Sequence, residues 1–329
     1  MKIYLAPLEG ITGYIYRNAY QTFFGNVDKY FIPFIEPHPK RDFNAKELNE
    51  IDAEFNQGQY VVPQILTANA QDFLRLAGYL AKRGYREVNL NLGCPSGTVA
   101  PKGKGAGFLE FPEKLEGFLD TIFADPPCRI SVKTRIGRYK TDEFPRLLKI
   151  FNQYPMEELI VHPRTREDYY TGPIDMEAFS LAMKESRNPV CYNGNIMEVE
   201  DYDRLCKTYP ALERVMIGRG VIRNPQLIDR IREGGQTDWN TVQRFHDHLF
   251  HQYREVLCGD RQALYKMKEI WHYSITMFPE DKKLRKRLMK AQNRLEYESV
   301  VAEIFSKAKY EMPRQVPGEP GNMSHIFVS

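Results

Sequence analysis

Eight short, apolar, β-rich runs, each followed by a longer stretch with helical spacing, fill the first two thirds of the chain. The runs fall at 3–6, 30–35, 60–66, 87–90, 129–133, 159–162, 190–193 and 215–217. Helical spacing recurs between them at 69–83, 112–123, 143–154, 175–184, 198–208 and 224–232. Eight strand–helix alternations are the pattern of a (β/α)8 TIM barrel, with a doubly wound open sheet as the competitor on alternation alone. Past Gly234-Gly235 the alternation stops, and 239–259, 262–277, 281–297 and 299–309 all read as helices. The expected organisation is therefore an α/β barrel over 1–236, an all-α domain over 237–311, and an extended or disordered tail over 312–329, which carries Pro313, Pro317, Gly318, Pro320 and Gly321. A length of 329 residues suits one large domain and a smaller one.

Several function classes are set aside at this stage. No run approaches the roughly 18 apolar residues of a membrane span. The apolar start Met1–Pro7 is too short for a signal peptide, so a cytoplasmic protein is expected. Cys94, Cys128, Cys191, Cys206 and Cys258 are scattered, odd in number and without a CxxC pair, which argues against a disulfide framework, a zinc site or an iron–sulfur cluster. His246, His248 and His251 do not share one helix face, so no metal is expected there. The net charge of +3 is uneven: residues 240–329 hold 15 Lys and Arg against 11 Asp and Glu. A cationic C-terminal third is what a polyanion-binding domain needs, although an excess this small is weak evidence alone.

In a TIM barrel, chemistry sits where strands end and the following loops begin. The unusual residues of this chain fall there in turn. Pro7 follows the first strand, Gln64 ends the third, Asn91 and Cys94 follow the fourth, Lys133 ends the fifth and His162 the sixth. Asn193-Gly194-Asn195 follows the seventh strand and Gly218-Arg219-Gly220 the eighth. Such a ring of hydrogen-bonding groups suits a flat heterocycle. Glycines after strands 7 and 8 let a backbone approach a phosphate, and Arg219 adds charge to it; singly, each glycine reads as an ordinary turn residue. Lys133, at the end of an apolar strand, either meets an anion or snorkels to solvent. Cys94 opens a glycine-rich loop that carries Lys102 and Lys104 and is expected to be mobile enough to close over a substrate. Its thiol either donates a proton or is inert.

The strings Leu5-Ala6-Pro7-Leu8-Glu9-Gly10, Asn91-Leu92-Gly93-Cys94-Pro95, Val132-Lys133-Thr134-Arg135-Ile136-Gly137, Val161-His162-Pro163-Arg164-Thr165-Arg166, Tyr192-Asn193-Gly194-Asn195 and Met216-Ile217-Gly218-Arg219-Gly220 resemble, in order, the successive motifs of the tRNA-dihydrouridine synthases. The resemblance covers about residues 3 to 225, with weaker likeness in the helical domain at Met267-Lys268-Glu269-Ile270-Trp271. It implies that NADPH reduces a bound FMN, that flavin N5 passes hydride to C6 of a tRNA uridine, and that Cys94 protonates C5. It implies FMN contacts at Pro7, Gln64, Lys133, His162, Asn193, Gly194, Asn195, Gly218 and Arg219. Asn91 matches the family asparagine near flavin and uracil, and Arg164 an arginine near the phosphate or the RNA. Leu8 stands where the family usually has Met, and Pro163 where it usually has Gly; the proline stiffens the sixth loop and bears on the placement of Arg164.

A uridine in folded tRNA must swing out of its stack to reach a barrel mouth, so the rest of the RNA needs a grip. Lys282, Lys283, Arg285, Lys286, Arg287, Lys290 and Arg294 lie within 13 residues free of acids, while Leu284, Leu288, Ala291 and Leu295 share the opposite face. The bland reading of such a run is a solvated helix; with the family resemblance, Lys283, Lys286, Arg287 and Lys290 are expected RNA contacts, as are Lys102 and Lys104. The rival functions are a flavin barrel acting on a small molecule, like a dihydroorotate dehydrogenase, and an RNA-binding barrel without chemistry. A monomer is the default expectation.

Overall fold

A computed structural model describes residues 1–38, 43–257 and 259–311. Eight parallel strands close into a barrel in sequence order: β1 (Lys2–Leu5), β2 (Lys29–Ile35), β3 (Val61–Ile65), β4 (Glu87–Leu92), β5 (Arg129–Gly137), β6 (Leu159–Thr165), β7 (Val190–Tyr192) and β8 (Arg214–Ile217). The expected barrel is the fold. The open-sheet competitor is removed by the seam, where Lys2, Ile3, Tyr4 and Leu5 pair with Arg214, Val215, Met216 and Ile217. Helices lie between the strands, among them Ala70–Lys82, Pro112–Ala124 and Val199–Thr208. β5 and β6 run several residues beyond their apolar stretches, to Gly137 and Thr165, carrying charged side chains with them. No helix among the described residues is long and apolar enough to cross a membrane.

Side chains alternate across each strand, so every second residue faces the barrel interior. Tyr4, Ala6, Phe31, Val62, Ile160, Cys191 and Met216, from six strands, form one buried interior cluster. At the N-terminal strand ends the interior is ionic instead. Lys29 Nζ lies 2.9 Å from Glu87 and 2.6 Å from Glu158, and Arg214 reaches Glu158 at 3.8 Å. Burial works against the Lys29 charge, but Glu158 and Glu87 outweigh it and hold its pKa above the ordinary value. Lys29→Met should therefore cost about 3–5 kcal/mol, because it leaves the buried Glu87 without a counter-charge and Glu158 with Arg214 alone. Urea denaturation measures this, and a loss below about 1 kcal/mol contradicts the assignment.

The chain divides into two compact units, 1–228 and 229–329. The second holds four main helices, Trp239–Val256, Asp260–Ser274, Lys282–Lys290 and Arg294–Glu311. The single helix expected over 281–297 is thus two. The first ends at Ala291, which is extended (ψ 125) and whose carbonyl accepts from Lys268 Nζ at 2.6 Å. Asn293 starts the next by accepting the Glu296 N–H at 3.0 Å. Leu284, Leu288 and Ala291 are buried as the periodicity predicts, but beyond the break Leu295 is 78% exposed, so it does not share their face. His246 has a structural task here: Tyr297 Oη sits 2.7 Å from its Nε2 and accepts the Trp271 indole N–H at 2.8 Å. The expected tail at 312–329 and Cys258 lie outside the described residues; Cys94, Cys128, Cys191 and Cys206 are free thiols.

Candidate active site at the barrel mouth

Strand alternation places the expected residues together. Gln64, His162, Asn193 and Gly218 each lie two residues beyond a member of the interior cluster (Val62, Ile160, Cys191 and Met216), hence on the same inward face at the C-terminal end. The ladder sets Asn91 beside Lys133 and Arg135 beside His162. Pro7 differs: its neighbours Ala6 and Leu8 belong to the interior cluster, and Pro7 itself is half-buried at the rim.

A chain of buried amides joins the interior to the cysteine loop. Asn91 Oδ1 accepts the backbone N–H groups of Gly93 at 3.0 Å and Cys94 at 2.9 Å. That fixes Asn91 Nδ2 as donor to Gln64 Oε1 at 2.7 Å. Gln64 Nε2 then donates to Asn89 Oδ1 at 2.7 Å, and Asn89 Nδ2 to Ser131 Oγ at 2.9 Å. Two backbone amides of the Cys94 turn thus set the polarity of four side chains, and such chains reinforce each other away from water.

Lys133 is the one residue of β5 beyond Arg129 that keeps partial exposure. Its ammonium has no hydrogen-bond or ion-pair partner among the described residues, and burial with Arg135 nearby brings its pKa down to about 8. His162 is buried, and burial followed by the charges of Arg135, Lys133, Arg164 and Arg219 drives its pKa well below the ordinary value. It is therefore neutral, and Arg164 Nη1 donates to its Nε2 at 3.4 Å, leaving Nδ1 to carry the proton. An unpaired cation beside a neutral imidazole fits an anionic ligand that also offers an acceptor.

Arg164 and Arg219 both donate to Asn195 Oδ1, at 3.2 and 2.8 Å, so two guanidinium groups meet on a neutral acceptor. Pro163 falls where β6 carries one extra residue against β5, between the pairs Arg135–His162 and Gly137–Thr165, and bulges tolerate a residue without an N–H. The glycines separate into two kinds. A Cβ on Gly194 would lie 2.2 Å from Tyr192 Oη and one on Gly220 2.1 Å from the Ile196 carbonyl, so protein packing already requires glycine at both. At Gly218 the nearest atom to an added Cβ is Ala6 Cβ at 3.3 Å, which leaves its glycine without a comparable protein reason.

Cys94 is partly buried, and burial, only partly offset by a Ser96 backbone hydrogen bond and by Lys133 and Arg135, raises its pKa above the usual thiol value. At neutral pH the thiol keeps its proton. The loop behind it is exposed at Gly97 and Thr98 and packed farther on. It holds two 3-10 turns, Ala100–Lys102 and Gly105–Glu110, with Gly105, Ala106, Gly107, Phe108 and Leu109 buried. Gly107 is there because its added Cβ would lie 2.0 Å from the Ala100 carbonyl. Lys104 is held by Glu36 at 2.8 Å, whereas Lys102 is exposed. Sequence reasoning passed over Arg135 and Tyr170. Arg135, fully buried, donates to the carbonyls of Gly93 (3.0 Å), Thr165 (2.6 Å) and Tyr169 (2.6 Å), tying the cysteine loop to the β6 loop. Its place two residues after Lys133 on a strand was the available signal. Tyr170 stacks near His162 (6.4 Å between centroids) and lies against both Arg135 and Arg219; nothing in its sequence context marks it.

Lys283, Lys286, Arg287 and Lys290 are exposed on one helix of the second unit, and Arg287 is paired with Glu303 at 2.6 Å.

A sequence model of the family described as Dihydrouridine synthase (Dus) matches residues 4–309. A probable tRNA-dihydrouridine synthase of Staphylococcus aureus (strain Mu50) is 27% identical over 312 residues, covering 91% of this chain and 92% of that protein. A tRNA-dihydrouridine(16) synthase of Ralstonia nicotianae is 30% identical over 239 residues, covering 70% of this chain and 72% of that protein. Among solved structures, the old yellow enzyme from Trypanosoma cruzi superposes with a TM-score of 0.51 at 10% identity, covering 72% of this chain and 89% of the other. The old yellow enzyme homologue from Zymomonas mobilis gives 0.50 at 11% identity, covering 72% and 90%. At these identities the structural likeness speaks for the barrel fold alone.

Proposed function

The chain belongs to the dihydrouridine synthase family, and from that premise we propose that it is a flavin-dependent tRNA-dihydrouridine synthase reducing the C5=C6 bond of a D-loop uridine with NADPH. The observation that carries this reading is the unpartnered Lys133 ammonium beside a neutral His162, at the same mouth as a protonated Cys94.

These residues fit FMN. Lys133 would face the negative pole of a reduced isoalloxazine, with His162 donating from Nδ1 and Gln64 from its free amide hydrogen. Asn193, Gly194, Asn195, Gly218 and Pro7 would hold the rest of it, with the Arg219 guanidinium offering charge to its phosphate. Bound there, the flavin supplies hydride to C6. Cys94 keeps the proton for C5, since burial disfavours its thiolate. Asn91 holds the turn that aims the thiol and keeps one amide hydrogen for a carbonyl of the base. Arg164 reinforces the anionic end through Asn195. In this reading residues 1–236 are the catalytic domain and 237–311 the RNA-holding domain, with Lys283, Lys286, Arg287 and Lys290 toward phosphates and Lys102 and Lys104 at the rim.

Gly218→Ala, whose methyl group would meet only ordinary to tight protein contacts, should weaken FMN binding about tenfold or more by intruding on the cofactor's side. Flavin fluorescence titration reads this, and unchanged affinity removes Gly218 from the cofactor site. The function itself is tested by incubating the holoenzyme with NADPH and unmodified tRNA, then mapping two-hydrogen mass gains in nuclease fragments. A gain at a single D-loop uridine is expected; no gain in any tRNA refutes the assignment.

A further inference from the structure

Among the described residues of the barrel unit, seven large hydrophobic side chains are exposed, and three of them, Tyr139, Tyr169 and Tyr170, stand on the two loops that follow β5 and β6. Tyr170 belongs to the mouth already described. Tyr139 and Tyr169 stand on the same two loops, 51% and 42% exposed. Each carries a guanidinium over its ring, Arg138 at 5.1 Å from the Tyr139 centroid and Arg166 at 4.8 Å from that of Tyr169. Arginine on one side steadies an aromatic ring through the attraction of charge to its π-face, and a half-exposed ring held this way has area left for a second planar group.

The ledge is fixed to the catalytic loop. The Arg166 N–H donates to the Gly137 carbonyl at 3.0 Å, joining the β5 and β6 loops. Tyr169 has φ +47; apart from Asn26, it is the one non-glycine residue at positive φ among those described. Asparagine tolerates that region and tyrosine does not, so the conformation persists because something holds it. Arg135 does so, gripping the Tyr169 carbonyl at 2.6 Å and the Gly93 carbonyl, next to Cys94, at 3.0 Å. A strained, cation-backed, exposed tyrosine is therefore set at a constant place relative to the thiol.

A target base that has left its stack takes its neighbours with it. The nucleotides on either side cross the rim unpaired, and unpaired bases bind proteins by stacking on aromatic rings supported by arginine. We propose that Tyr139 and Tyr169 are stacking platforms for the unpaired nucleotides that flank the target uridine. This rests on the RNA-modifying reading above.

Tyr139→Ala and Tyr169→Asn, the latter keeping a residue that accepts positive φ, test it in the holoenzyme with unmodified tRNA. Each should raise KM and the filter-binding Kd for tRNA about tenfold. The kcat at saturating tRNA and the rate of flavin reduction by NADPH should not change. Tyr139→Phe and Tyr169→Phe, which keep the ring, should restore affinity to within about twofold. Affinity within about twofold of wild type in the Ala and Asn variants overturns the proposal while leaving the function standing. So does a concentration-dependent dimer that these variants abolish without affecting tRNA, since the face then serves a second copy. A wild-type holoenzyme that binds no tRNA overturns the function and this proposal together.

Discussion

Replacing Cys94 with alanine should lower turnover of tRNA about 100- to 10,000-fold while leaving the reduction of bound flavin by NADPH at its normal rate. The split follows from position and protonation. Cys94 lies past β4 on a turn held by Asn91, and its thiol stays protonated because burial disfavours the thiolate. In the proposed reading it acts on the step that needs an acid and has no part in loading the flavin. The pH profile of the wild type should agree: activity on tRNA holds through neutral pH and falls on the alkaline side, as Lys133, at about 8 in the cofactor-free protein, loses its charge and Cys94, above the usual thiol value, its proton. Alanine at this position leaves little cavity, so folding is not in question. Equal loss in both half-reactions, or none in either, would remove Cys94 from the chemistry.

Lys133→Met should do two opposite things, stabilising the cofactor-free protein and weakening its hold on FMN. The charge is largely, not wholly, withdrawn from water and has no partner, and its pKa stands at about 8 against 10.5 for a free lysine. Below pH 8 both the folded and the unfolded chain carry the proton, so the full cost of the buried charge is present at pH 7. Between about pH 8 and 10.5 the unfolded chain binds a proton that the folded one lacks, so wild-type stability rises with pH in that window. Methionine removes the penalty, and the variant should gain about 1–3 kcal/mol at pH 7, a gain that fades toward pH 10. Its affinity for FMN should fall about 10- to 100-fold, because the cation is what offsets the anionic ring. Urea denaturation of the cofactor-free proteins at the two pH values measures the first effect and fluorescence titration the second. A destabilised variant with unchanged FMN affinity would mean that Lys133 is an ordinary packing residue.

Much of the site could be read before the fold because a barrel converts sequence spacing into geometry. Gln64 and His162 lie within their strands and Asn193 and Gly218 just past theirs, and alternation alone turns them inward together. Long-range restraints carry no such period. Asn91 serves two backbone amides and Gln64 at once, and Arg135 serves three carbonyls on two loops, which no spacing rule reports. Glycine content in the Cys94 loop does not say which glycines pack: Gly105 and Gly107 lie tightly against Cys94 and Ala100, while Gly97 is exposed. At Gly194 and Gly220 neighbouring protein atoms crowd the place of a Cβ, a contact that no spacing rule reports. In the second unit, periodicity ran across Ala291-Gln292-Asn293 because apolar spacing is blind to a capping asparagine, and Leu295 was assigned to the wrong face as a result.

The central claim, that a flavin in this barrel passes its electrons to a uridine in tRNA, is tested most directly by the visible spectrum of the FMN-loaded protein under anaerobic conditions. NADPH should bleach the flavin band, and unmodified tRNA added afterwards should restore it with one dihydrouridine formed per flavin reoxidised. A flavin that bleaches but is not reoxidised by any tRNA, while a small unsaturated carbonyl compound reoxidises it readily, would contradict the account.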